Sequence, residues 1–587
     1  MSDPYIYERL DSERQQIRLL EILPDEAEQP VRVKIRTVEF PAFYETISYA
    51  WGDPTRSACV EIRSRTLQTW RRQLRVPSNT EAALRRVRRQ DRVRAVWIDA
   101  VCINQDDKVE RSQQVAIMGM IFASSVGNLV YLGELEDANM AARIKRTLDD
   151  LLAHARSETD DLQTFESALS DPAQEAQWQR QGLPFKVDED VLRLVLKLPW
   201  FRRLWVLQEA VMAPNSTALL GPLQLDLYDM LRAIIWWQRH IKSYPSGTTQ
   251  GFQCLISTYF ALHQRGDSRA PSAQSLSNLL ITAQDFQKSD SRDGVYALLA
   301  MMDERSSSAL SPDYTRPLSE ILQSASRLAI EKDPSILSNI AHRPGDLERA
   351  EVASWAVRVD RETDGEIDPF TLPWRKGLTY MVSERRDDSP SGGWESRVLG
   401  LKGHQADTVN MVTPSCTPLL YDDDEALSMW LWRVMELHSN VSCAHEARFD
   451  AIARILCADG YHSRQYHQLE DEERNRVKSC LAALGPAMTE NPLKLFEAVK
   501  TLTPGFWNSI FHRQCFVTQQ GRLGLGPRDM QAGDIVAALS DAEYPSILRP
   551  LDGEQYQFVG AAYVDRLMPG ELDHEWEVEE AKVFALV

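Results

Sequence analysis

No apolar run in the 587 residues approaches the roughly 18 that a membrane span requires. The opening residues, from Met1 to Arg14, lack the basic-then-apolar layout of a secretory signal. A membrane is therefore not an expected partner. The eight cysteines (Cys59, Cys102, Cys254, Cys416, Cys443, Cys457, Cys480 and Cys515) contain no C-x-x-C pair. That scatter argues against a disulfide framework and for reduced thiols in a cytoplasmic protein. Cys443, His445, Cys457, His462 and His467 lie close together, but their spacing matches no zinc pattern, so no metal site is expected. Gly521-x-x-Gly524-x-Gly526 is followed at once by Pro527 among turns, which excludes a dinucleotide fingerprint. Positive charge is also scarce overall. Lys plus Arg total 66 against 85 Asp plus Glu, a formal charge of −19, which argues against a polyanion coat.

Ordinary globular composition remains, with 43% hydrophobic and 26% charged residues. Gln16–Leu23 and Val31–Phe40 alternate around a turn and predict a β-hairpin. Tyr44–Ala50 reads as a strand stopped by Trp51-Gly-Asp-Pro54. Thr80–Arg89 reads as a helix, and Ala95–Val101 as a buried strand. Asp107 followed by Glu110 predicts a capped helix to about Ser125, and Asn128–Leu132 another buried strand. Pro199 opens a predicted helix through Met212, and Thr217–Leu220 a short strand. Strands alternating with helices imply a parallel α/β sheet.

Four segments follow: a β-hairpin lead-in over 1–43, an α/β domain over 44–221, a helical region over 222–510 with a loose linker at 358–397, and a small β-module over 511–587. The expected fold class is thus an α/β N-terminal domain, a mainly α-helical middle and a small antiparallel β C-terminal module, sandwich or barrel-like.

Three blocks carry identity. They are Tyr44-Glu-Thr-Ile-Ser-Tyr-Ala-Trp-Gly-Asp53, Val96-Trp-Ile-Asp-Ala-Val-Cys-Ile-Asn-Gln-Asp106, and Pro199-Trp-Phe-Arg-Arg-Leu-Trp-Val-Leu-Gln-Glu209. In this order and spacing they resemble the heterokaryon-incompatibility (HET) domain of filamentous fungi. Ser291-Arg-Asp-Gly-Val-Tyr-Ala-Leu-Leu299 and Pro312-Asp-Tyr314 resemble flanking segments of large HET proteins. HET domains are in turn similar, more distantly, to TIR domains, flavodoxin-like modules of innate immunity and programmed cell death. Some TIR domains cleave NAD⁺ with a helical glutamate.

The resemblance implies that Glu209 is catalytic and that NAD⁺ is a substrate rather than a bound cofactor. It implies homo-oligomer formation on activation and a partner protein in non-self recognition. Ser48, Tyr49, Trp51, Gly52, Asp53, Asp99, Asn104, Gln105, Asp106 and Trp205 become the substrate-binding candidates, because ligands of parallel sheets bind beyond the carboxyl ends of strands.

Each candidate has a structural reading beside it. Glu209 can pair with Arg202 or Arg203, Asp53 can close a local turn, and Asp99 can cap the following loop. Glu110 reads as half of a capping box and Cys102 as a small buried residue. Eleven arginines between Arg63 and Arg94 face only Glu81 and Asp91. Such a run could clamp phosphate or nucleic acid, but more often it is a solvated face, so nucleic acid is not the expected partner. Two functional alternatives stand beside NAD⁺ hydrolysis: a non-catalytic interaction scaffold, and nucleic-acid or nucleotide chemistry through the arginines.

Overall fold

The computed structural model describes residues 3–63, 72–135, 137–158, 178, 182–241, 255, 275–284, 286–349, 351–359, 397–417, 423–439, 455, 460–461, 464–465, 510–568 and 581–587. The chain divides into two compact units, Met1–Pro317 with Val359–Ile367, and Leu318–Arg358 with Asp368–Val587.

The first unit is built on a ten-stranded sheet of described strands. In chain order these are β1 (Asp3–Pro4), β2 (Ile17–Ile22), β3 (Arg32–Val38), β4 (Glu45–Tyr49), β5 (Ala58–Ile62), β6 (Arg72–Val76), β7 (Arg94–Trp97), β8 (Asn128–Gly133), β9 (Ser216–Leu220) and β10 (Leu223–Asp226). In space they run β1-β6-β5-β3-β2-β7-β4-β8-β9-β10. The sheet is mixed rather than parallel throughout. Only β7, β4, β8 and β9 form a continuous parallel block. The expected hairpin β2–β3 adds to β7 antiparallel, and β10 turns back on β9.

Within the parallel block the first strand, β4, lies between the second, β7, and the third, β8. The chain thus leaves β4 to one side and returns on the other, which opens a crevice beyond the strand ends. β4 and β8 are buried almost throughout, as expected of strands covered on both faces. Trp97 at the end of β7 is wholly buried and meets the Phe122 ring edge-on at 5.7 Å.

A buried ion pair ties the helix Lys108–Ala116 to this sheet. Arg18 of β2 donates to both oxygens of Glu110, at 2.5 and 2.9 Å. Glu110 is structural, as its sequence position suggested, but the capping box is incomplete. Asp107 caps the helix by accepting from Val109 and Glu110 N–H, whereas Glu110 accepts from Asn104 N–H at 2.7 Å. The helix also breaks at Ile117 and resumes over Met118–Ala123.

The predicted helix from Pro199 divides too. Pro199–Arg202 is a 3₁₀ turn, Arg203 is extended, and Trp205–Val211 is the α-helix. The break has a partner: Leu204 N–H donates to Gln287 O and Gln287 N–H to Arg202 O, a strand-like bridge.

In the second unit, β11 (Leu399–Val412) is a fourteen-residue strand inside the region expected to be helical. The short pair β12 (Gly460–Tyr461) and β13 (Arg464–Gln465) follows. Then come β14 (Arg513–Thr518), β15 (Leu523–Pro527), β16 (Ile535–Leu539), β17 (Ser546–Pro550), β18 (Gln555–Ala561), β19 (Tyr563–Val564) and β20 (Lys582–Leu586). β11 pairs with β20 along Leu399–Gly403, with β16 along Gly403–Thr408 and with β14 from Val409. With the β16–β17, β17–β18 and β18–β20 pairings this closes a five-stranded ring, in which only β18–β20 is parallel. Val409, Phe516, Val536, Ile547 and Val559 are among its core residues.

The predicted 358–397 linker falls almost wholly outside the described residues, as do Cys443, His445, Cys457, His462 and His467. Among the described residues no cluster of potential metal ligands occurs, and no helix is long and apolar enough to cross a membrane.

Candidate functional site

Beyond the carboxyl ends of β4 and β7 lies a cavity of about 590 Å³, within the range of small-ligand sites. Ala50, Trp51 and Gly52 follow β4, and Asp99, Ile103 and Gln105 follow β7. Gly52 turns the chain with φ +67°, and an added Cβ would lie 2.6 Å from Asn79 Nδ2, so only glycine fits. Asn79 in turn donates to Ala50 O at 2.9 Å.

Asp99 forms part of the cavity wall. It starts a one-turn helix, Asp99–Cys102, directly after β7. Its Oδ1 accepts from Ala100 N–H at 2.7 Å and its Oδ2 from the Trp51 indole at 2.9 Å. Gln105 folds back to donate to Asp99 O at 3.0 Å. Burial pushes the Asp99 carboxyl above its usual range, although the Arg203 guanidinium and these hydrogen bonds oppose the shift.

Glu209 is 3% exposed and is not among the cavity-lining residues. Its Oε2 accepts from the Ser48 hydroxyl, which itself accepts from the Trp200 indole at 2.7 Å. Burial raises its carboxyl from 4.5 to about 7; Asp99 adds to the rise, while Arg203 and the Ser48 hydroxyl counter it. Buried Glu209 and half-buried Asp99 thus share the field of one guanidinium, and Arg203 is fixed by donating to Tyr49 O. A carboxyl raised to about 7, as Glu209 is, suits acid–base chemistry at neutral pH.

The sequence candidates therefore separate. Trp51, Gly52, Asp99, Gln105 and Trp205 line the cavity. Ser48 and Glu209 form a buried pair next to it. Tyr49 is buried, its hydroxyl 2.7 Å from Thr80 Oγ1. Asp53 accepts from Thr55 N–H at 2.9 Å in an exposed turn, its local structural reading. Asn104 accepts from Asp106 N–H at 3.3 Å. Asp106 is exposed and takes a two-pronged contact from Arg56, with both bonds at 2.9 Å.

The far wall comes from residues not chosen as candidates. Arg111 and Met118 rise from the helices after Asp107, and Gln287, Lys288, Ser289, Asp290, Asp293 and Tyr314 come from well beyond Glu209. The bridge between Gln287 and Arg203 brings that later segment to the cavity. The one signal for them was the resemblance of 291–299 and 312–314 to family flanks. Arg111 bridges Asp290 and Asp293 at 3.7 and 3.5 Å. Asp293 is buried, and its carboxyl is pushed up by burial against the pull of Arg111.

Four arginines of the run, Arg85, Arg86, Arg88 and Arg94, donate to backbone carbonyls. Arg85 and Arg88 donate to the backbone of the 26–30 turn, Arg86 to Gly221 and Leu223, and Arg94 to Glu45 and Val87 O.

Residues 44–209 match the family model of the heterokaryon incompatibility protein (HET), and residues 420–587 that of the Het-6 beta-barrel domain. β11, which closes the barrel ring, precedes the second match. Heterokaryon incompatibility protein 6, OR allele, of Neurospora crassa is 23% identical over 642 residues, covering 92% of this chain and 91% of that protein. No solved structure matches the chain.

Proposed function

For a chain that carries a HET domain joined to a Het-6 barrel, we propose a role in heterokaryon incompatibility, the process named for its Neurospora relative. Its α/β unit hydrolyses NAD⁺ at the bond between nicotinamide and ribose, and self-association activates it. The spatial order second–first–third–fourth of the parallel strands is that of flavodoxin-like sheets, which supports the TIR-like reading.

One observation carries the reading: a half-buried carboxylate, Asp99, borders a cavity flanked by Trp51 and Trp205, with the protonatable Glu209 in its field. Nicotinamide departs as a neutral molecule, taking the electrons of its bond to C1′, and the ribose develops oxocarbenium charge. A fixed carboxylate stabilises that charge, as in glycoside hydrolysis. Water then adds to C1′ and gives up its proton, so that NAD⁺ and water yield nicotinamide, ADP-ribose and one proton. Cation–π contact with an indole suits the positive pyridinium. In this scheme Glu209 is the key carboxylate. Self-association is the step that brings it from the Ser48 contact to substrate.

Assembly without catalysis is the second reading, favoured by the position of Glu209 off the cavity wall. Incubating concentrated full-length protein with NAD⁺ separates the two. The expected result is release of nicotinamide and ADP-ribose, reduced at least about a hundredfold in Glu209→Gln. No release at any protein concentration, or equal release by the variant, removes the enzymatic reading.

A further inference from the structure

Asp293 begins the one-turn helix Asp293–Tyr296 and is 3% exposed. Its Oδ2 accepts from the Trp205 indole at 3.1 Å, and its Oδ1 from the Tyr314 hydroxyl at 2.6 Å. Arg111 approaches Oδ1 at 3.5 Å while lying 3.8 Å over the Tyr314 ring. Tyr314 is pinned at its backbone too, where its N–H donates to Ser112 Oγ at 3.2 Å. All four side chains border the cavity. Two of them, Asp293 and Tyr314, lie beyond the residues that match the HET model.

A carboxylate that accepts from two donors on separate segments fixes both in direction as well as distance. Trp205 opens the helix that carries Glu209 four residues later, so the two residues share a face of that helix. If the Nε1–H bond is lost, the indole is free to leave the orientation that flanks the cavity.

We propose that Asp293 is a positioning residue, which holds the Trp205 indole as the flat wall against which the cationic pyridinium ring of a nucleotide stacks. The identity of the ring rests on the NAD⁺ reading above; the positioning of the indole does not. The working site is then larger than the matched HET segment and includes the chain from Gln287 to Tyr314. Asp293 acts through Trp205 and need not touch the substrate.

The test uses the full chain labelled with 5-fluorotryptophan and observed by ¹⁹F NMR. Trp205→Phe assigns the Trp205 signal among the fifteen tryptophans. Asp293→Leu, which removes both acceptors, is expected to shift and broaden that signal while Trp97 and Trp200 hold theirs. It should weaken binding of nicotinamide mononucleotide about tenfold. In a Trp205→Phe background the same substitution should add nothing, because the residue acts through the indole. An unmoved Trp205 signal, or an undiminished effect in the Trp205→Phe background, overturns the proposal. If wild type binds no mononucleotide, the NAD⁺ reading fails, and the Trp205 signal still decides the positioning. Should Asp293→Leu not fold, Tyr314→Phe unpins Oδ1 while keeping both carboxylate and indole. It is expected to move the Trp205 signal less, and no movement counts against the proposal.

Discussion

The Trp51 indole donates to Asp99 Oδ2 at 2.9 Å, so the loop after one central strand holds the first carboxylate after its neighbour. Both residues border the cavity, and neither segment alone would set the other's position.

Trp51→Phe keeps the ring and removes that donor. The lost hydrogen bond favoured the ionised form of Asp99, so its carboxyl should rise further. The acid limb of the pH profile for NAD⁺ turnover, where activity rises as Asp99 ionises, is expected to move to higher pH. Superimposable profiles for wild type and variant would show that this bond does not tune the site.

Glu209 makes stability depend on pH in a defined direction. Its carboxyl stands at about 7 in the folded protein against the ordinary 4.5, so the folded state binds more protons between those values. Stability is therefore full below the lower value and declines as pH rises through the higher one, by at most about 3 kcal/mol. Asp99, raised in the same sense, adds to the decline. Thermal melts from pH 5 to 8 are expected to fall for wild type and to fall less steeply in Glu209→Gln, where Asp99 alone remains. A variant whose melting temperature tracks wild type across that range would refute the assignment.

Arg18 and Glu110 form an ion pair inside the first unit, with 1% and 9% of their side chains exposed. Arg18→Met strands the carboxylate and is expected to cost about 3–5 kcal/mol in urea unfolding. Replacing both residues by Met should recover most of that loss, leaving a deficit from Asn104 N–H, which Glu110 also satisfies. A double variant as unstable as the single one would contradict this account.

Local signals were legible where a residue's partner is near in sequence. The Ile17–Val38 hairpin shows alternation, Asp107 announces a helix start, and Trp51-Gly-Asp-Pro54 marks the end of the strand that closes at Tyr49. β6 escaped notice because two of its five residues are arginines, β5 because it is only five residues long, and β11 because it pairs with strands more than a hundred residues later. The Pro199 helix was drawn too long, since its break depends on Gln287. The site divided in the same way. Asp99 and Trp51 could be found from strand ends, whereas Asp293 meets Trp205 across 88 residues and Tyr314 meets Ser112 across 202. No periodicity reports such contacts.

β20 sits between β11 and β18 in the barrel ring. During synthesis, β11, β16, β17 and β18 all emerge before it, and none of them can supply its place. Until Leu586 has left the ribosome, the growing chain presents two unpaired strand edges that any extended segment could occupy. Ring closure thus waits for β20, and a chain cut near residue 580 would leave the ring open between β11 and β18.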